Sequence, residues 1–124
     1  MLKHKLSLII FGIMIMSIFI SPLEGKAANI NNKDFYDSYN TLLAPYASQT
    51  IENKLGPSHQ YSLTDTKIIK INRHPKGAFN FIVVAEYRTY VGAHNPPNHI
   101  VTITYNIDPS GVRVQGVDIK QQKE

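Results

Sequence analysis

The spacing of apolar residues changes abruptly at Gly56-Pro57, and that change constrains the fold more than any other feature of the chain. Before it, Phe35, Tyr39, Leu42, Leu43, Tyr46, Ile51 and Leu55 recur close to every third or fourth position. This period puts them on one face of an amphipathic helix. After it, Phe79, Phe81, Val83, Ala85, Tyr87 and Val91 stand on one side of an alternating run, with Asn80, Glu86 and Arg88 on the other. Val101, Ile103, Tyr105 and Ile107 alternate in the same way. A period of two belongs to strands that bury one face. A helix followed by such strands predicts an α+β domain, with the helix covering the apolar face of an antiparallel sheet.

The punctuation sets the boundaries. Asn32 fits an N-cap and Asp34 sits well in a first turn. Gly56-Pro57 stops the helix. Pro45 falls inside the helical pattern, which predicts a kink there or two short helices with Pro45 opening the second. Strands are expected over residues 66–73, 78–91, 100–107 and from 112 onward. In the first of them Ile68, Ile69 and Ile71 cannot all face one side. In the last, Val112 and Val114 share a face while Val117 and Ile119 fall on the other, unless a β-bulge at Gly116 restores the phase. His74-Pro75-Lys76-Gly77 and Asp108-Pro109-Ser110-Gly111 both place Pro second and Gly last, as in a type I turn with a left-handed exit. The expectation is a four-stranded antiparallel meander under one helical layer. That layout is cystatin-like, an analogy of fold that assigns no function.

Residues 1–27 form a segment apart. Lys3 and Lys5 precede an apolar run of 15 residues, Leu6 to Ile20, followed by Ser21-Pro22 and the small residues Gly25 and Ala27. This is the layout of a secretory signal peptide, with cleavage expected between Ala27 and Ala28. The run is shorter than the ~20 residues of a bilayer span. A single small domain, residues 28–124, remains, and it is expected to be extracytoplasmic with no membrane contact after cleavage. The chain has no Cys, so a lipid-anchored form is excluded and the core must hold without disulfides. The formal charge of +4 drops to about +2 once the leader is removed, which gives no footprint for nucleic acid. Lys67, Lys70, Arg73 and Lys76 cluster in sequence and fit the solvated face of an edge strand, or a contact with an anionic wall polymer.

The connection between the two middle strands stands out. Gly92-Ala93-His94-Asn95-Pro96-Pro97-Asn98-His99 takes eight residues where the neighbouring turns take four. Pro96 and Pro97 fix their own φ and restrict the residues before them. Such a stiffened loop loses little entropy on binding, so Gly92, His94, Asn95, Pro96, Pro97 and His99 are the candidate ligand-binding residues. The competing reading is that the prolines only cap strand ends and deter edge pairing.

Catalytic and metal signatures are weak. His94 could act as a general base oriented by Glu86 or Asp108, but no nucleophile elbow, paired catalytic carboxylates or phosphate loop accompanies it. Two histidines five residues apart without Cys make a poor zinc set, and His59 and His74 lie elsewhere in the chain. No catalytic residue, metal or cofactor is assigned. The reading is a non-enzymatic binding module using residues 92–99 for a peptide, protein or cell-wall component. The alternative is a small extracellular hydrolase or metal-binding protein built on His94.

Tyr90-Val91-Gly92-Ala93-His94-Asn95-Pro96-Pro97, together with Leu42-Leu43-Ala44-Pro45-Tyr46 and Asp108-Pro109-Ser110-Gly111-Val112, resembles a family of short exported proteins. These come from spore-forming Gram-positive bacteria, and the family is domain of unknown function 3888. The likeness spans about residues 37–117. It implies a secreted protein of a Bacillus-type bacterium and singles out His94 and Asn95. It brings no mechanism with it.

Overall fold

Helix α1 (Asn32–Leu55) opens the part of the chain that this computed structural model describes, residues 31–122. The signal peptide expected at residues 1–27 lies outside the described residues. Asn31, one position earlier than expected, is the N-cap, and its side-chain oxygen accepts from Lys33 N at 3.0 Å. At the other end Gly56 takes φ 97° and its N–H returns to Glu52 O at 2.9 Å. Between these caps the helix is one element of 24 residues with Pro45 inside it, so the alternative of two short helices does not hold. The reason is packing: Leu43, Ala47 and Ile51 form one buried stripe that passes through Pro45. Both halves press on the same sheet, which offsets the backbone hydrogen bond that a proline removes.

That stripe is narrower than the sequence suggested. Asn40, Leu43, Ala47 and Ile51 are buried, with Tyr39 and Leu55 packed beside them. Phe35 and Leu42, both expected on it, are 63% and 70% exposed. Asn40 was not expected at all. It is 3% exposed, and neither its Oδ1 nor its Nδ2 has a hydrogen-bond partner among the described residues. A buried amide left unmet costs about 1–3 kcal/mol. Asn40→Leu is therefore expected to raise the unfolding free energy by about 1 kcal/mol, read as a higher urea midpoint at unchanged slope. A lower midpoint would mean that the site needs the amide.

Five strands follow: β1 (His59–Tyr61), β2 (Lys67–Arg73), β3 (Phe81–Val91), β4 (Asn95–Asp108) and β5 (Gly111–Gln121). The meander β3-β4-β5 is antiparallel throughout. The expected first strand, 66–73, is β2, and β1 is a further short strand within residues 58–65, expected to be a loop. β1 lies along the far half of β3, with Tyr61 opposite Thr89, and β2 along the near half, with Arg73 opposite Phe81. A 3-10 turn at Leu63–Asp65, capped by Ser62, separates them. The four-strand expectation is thus right in order and approximate in count.

Two bulges settle the phase conflicts seen in the sequence. In β2 the pairing shifts between Ile68 and Lys70, so Ile68 and Ile71 both stand opposite core residues, Ala85 and Val83, while Ile69 is the extra residue. In β5 it shifts between Val114 and Gly116, which sets Val112, Val114, Val117 and Ile119 opposite Ile107, Tyr105, Ile103 and Val101. The β2–β3 turn also moves. Its closing bond runs from Ala78 N to Pro75 O at 3.1 Å with Gly77 at φ 87°, one residue later than expected. β3 accordingly begins at Phe81, and Phe79 is left exposed.

The core joins Leu43, Ala47 and Ile51 to Val83, Ala85, Tyr87, Val101, Ile103 and Tyr105. Tyr87 stands opposite Val101 and Tyr105 opposite Val83, and the two side chains reach along the sheet so that their hydroxyls are 2.8 Å apart, both residues being fully buried. Tyr61 reaches the same cluster edge-on to Tyr87 at 5.0 Å, and its hydroxyl donates to Ala44 O.

Candidate functional site

The expected eight-residue loop is mostly strand. β3 runs to Val91 and β4 starts at Asn95, which pairs with Val91, so the turn itself is Gly92-Ala93-His94. Gly92 and His94 have φ of 57° and 63°. For Gly92 this is ordinary, whereas for a residue with a Cβ it costs roughly 1–2 kcal/mol. Beyond the turn, residues 96–98 of β4 stand against Tyr90 alone before pairing resumes at Thr89 and His99. Prolines lack the N–H a ladder needs, so a bulge is where a strand tolerates them. The prolines marked a loop in the sequence, but the extended φ they enforce serves a bulged strand equally well.

The two loop histidines part company. His94 is exposed, and its ring stacks on Tyr90 with centroids 3.9 Å apart and planes 28° from parallel. Asn95 and Pro96 are exposed beside it. His99 belongs to the helix-facing row of β4, half-buried, between Thr89 and Gln121. There it meets His59 of β1 edge-on, with centroids 5.5 Å apart. Both ring nitrogens of His59 and Nδ1 of His99 are buried without a hydrogen-bond partner. Sequence reading set His59 aside. No local signal could have found the pair, because β1 is three residues long and 40 positions separate His59 from His99.

Neither carboxylate proposed to orient His94 reaches it. Glu86 lies in mid-sheet between Lys67 and Thr102. Asp108 is at the far end of β4, roughly 40 Å along the strand from Asn95 at the usual rise per residue. Its carboxylate accepts from Ser110 N at 2.8 Å, from the Ser110 hydroxyl and from Arg113. The Arg113 guanidinium first, and the Ser110 contacts next, hold it down to about 2. Among the described residues no three His, Asp or Glu side chains come together as a metal set.

A groove of mixed polarity, about 400 Å³, runs between α1 and β1, where Ser48, Glu52, His59 and Tyr61 share the lining. This is the set nearest to hydrolase chemistry. Its hydrogen bonds point elsewhere, however. The Ser48 hydroxyl pairs with Tyr61 at 3.2 Å, and His59 bonds to neither Ser48 nor Glu52. The nucleophile–base and base–orienter contacts of acyl transfer are both unmade.

The hairpin tip and the inward histidines thus form two separate places, one on the surface and one under the helix. Comparison with known proteins bears on both. A family model described as a protein of unknown function, DUF3888, matches residues 35–120, from the first turn of α1 to the end of β5. No curated protein and no solved structure matches the chain.

Proposed function

The chain belongs to the DUF3888 family, and we propose that it works as an exported, non-enzymatic binding module whose contact surface is the β3–β4 hairpin tip. The observation that carries this reading is His94. It keeps a left-handed backbone that glycine would adopt without strain, and its ring lies flat on Tyr90. A strained, exposed residue held by an aromatic stack is a feature of contact sites. With Asn95 and Pro96 it offers an aromatic face, an amide and a fixed backbone, at small entropic cost on binding. Gly92 provides the reversal that brings these groups together. His99 leaves the proposed surface, since it faces the core. The partner is a peptide, protein or cell-wall component met outside the cytoplasm, as the leader pattern of residues 1–27 implies. The cystatin-like layout is part of this reading only as an order of elements, a helix and then a meander.

His94→Gly tests it, because the substitution removes the ring and relaxes the backbone. Stability is expected to stay within about 1 kcal/mol of the parent, since lost stacking and relieved strain oppose each other. Retention on a cell-wall fraction is expected to fall at least tenfold, and to fall similarly in Asn95→Ala. If both variants bind as the parent does, the tip is architecture and the reading fails.

A further inference from the structure

We propose that the opposite end of the sheet carries a second site, an apolar cleft that takes the chain of a fatty carboxylate, with Arg73 holding the carboxylate. It goes beyond the hairpin-tip reading and does not rest on it. The tip lies at the far end of β3, roughly 30 Å along the strand from Phe81.

The cleft, about 330 Å³, opens under the first turns of α1. Phe35, Tyr36 and Tyr39 form one wall, and Ile68, Ile71 and Phe81 form the floor. The bulge in β2 creates that floor by turning both Ile68 and Ile71 toward the helix. Two phenols, Tyr36 and Tyr39, belong to the lining, and the Tyr36 hydroxyl is already engaged. The Tyr36 hydroxyl accepts from Ile68 N at 2.7 Å and donates to Thr66 O at 3.4 Å. Apart from the phenols the lining is hydrocarbon, and the volume is at the small end of ligand cavities, which run from roughly 300 to 1,000 Å³. Its rim stays uncovered, with Phe35 63% and Ile71 55% exposed.

Arg73 supplies the second, independent observation. Register sets it opposite Phe81, which is in turn opposite Ile107, so it closes the row that floors the cleft. Its guanidinium lies over Phe81 at 4.5 Å and near Phe79 at 5.5 Å, and Nη1 donates to Ala78 O at 2.9 Å. These contacts fix the cation in place. The ion pairs among the described residues are Lys33–Asp37, Arg113–Asp108 and Lys120–Asp118, and Arg73 is in none of them. A positioned guanidinium without a counter-ion presents the N–H fork that matches a carboxylate. A cation fixed beside an apolar cleft is complementary to an anionic head on an apolar chain.

Calorimetric titration of the purified protein with dodecanoate and with dodecyltrimethylammonium, both below micelle formation, tests the assignment. Dodecanoate is expected to bind once per chain, and the cationic probe about tenfold more weakly. Arg73→Gln should abolish that preference, weakening dodecanoate and relieving the repulsion of the cationic head. Ile71→Glu should abolish binding of both while leaving the melting temperature intact, because Ile71 is half exposed. Equal binding of the two probes by the parent, or a preference that survives in Arg73→Gln, would overturn the proposal. So would a dimer in sedimentation that Ile71→Glu dissolves, which would make the occupant a second copy.

Discussion

Leu43→Ala is expected to lower the unfolding free energy by about 2–5 kcal/mol, the range for emptying a buried leucine site. In a domain of this size each kcal/mol moves the melting temperature by roughly 4–8 °C, so the fall should reach about 8 °C or more. The neighbouring Leu42→Ala should stay within about 0.5 kcal/mol, as surface changes do. One residue of separation reverses the outcome because Leu43 is 1% exposed and Leu42 is 70% exposed. The pair therefore measures which stripe of α1 meets the sheet. Leu43 precedes Pro45 and Ile51 follows it, and both are buried in one cluster. Leu43→Ala and Ile51→Ala should thus each shift a single cooperative transition. A variant in which only one half of the helix melts early would show that Pro45 divides it after all.

The second large effect is expected at high pH and comes from Tyr87 and Tyr105. Burial pushes the Tyr87 phenol up to about 12, against the opposing influence of its hydrogen bond to Tyr105. Burial raises Tyr105 as well, and there the bond to Tyr87 adds to the rise. Well below about pH 10 both the folded and the unfolded chain keep these protons, so the two tyrosines add no pH dependence there. Above it the unfolded chain loses protons that the folded one retains, and stability falls by up to about 1.4 kcal/mol per pH unit for each tyrosine. Denaturant melts at pH 8, 10 and 11 should trace that decline. Tyr87→Phe alone leaves the Tyr105 hydroxyl buried without its partner, at a cost of about 1–3 kcal/mol. The double change to Phe removes both hydroxyls and should cost less than the two single changes together. It should also flatten the alkaline decline. An unaltered decline in the double variant would place its source elsewhere.

Much of this fold could be read from short-range pattern. The alternation in β3 and β4 assigned Val83, Ala85, Tyr87, Val101, Ile103 and Tyr105 to one face, and all six are buried there. A bulge at Gly116 was the device that would restore the phase of the last strand, and the register has one between Val114 and Gly116. The clash among Ile68, Ile69 and Ile71 was visible too, although its resolution by a bulge at Ile69 was not. Composition misled where one residue type suits two structures. Prolines 96 and 97 fit a loop and a bulged strand alike, and Pro45 fits a break and a packed helix alike. Leu42 and Phe35 misled because helical spacing defines a broad arc, and only contact with the sheet selects the part that is buried.

The candidate sites divide along the same line. His94, Asn95 and Pro96 could be singled out because consecutive residues build the tip. The His59–His99 contact, the groove shared by Ser48 and His59, and the cleft between α1 and the start of β3 join residues far apart in the chain. The sequence by itself determined the period of each segment, its buried face and most of its stops, since these follow from steric and solvent preferences of residues a few positions apart. The tertiary structure alone decided which edge β1 and β2 share, where Arg73 meets Phe81 and which histidine turns inward. Register sets these, and a shift of one residue would send every side chain of a strand to the other face.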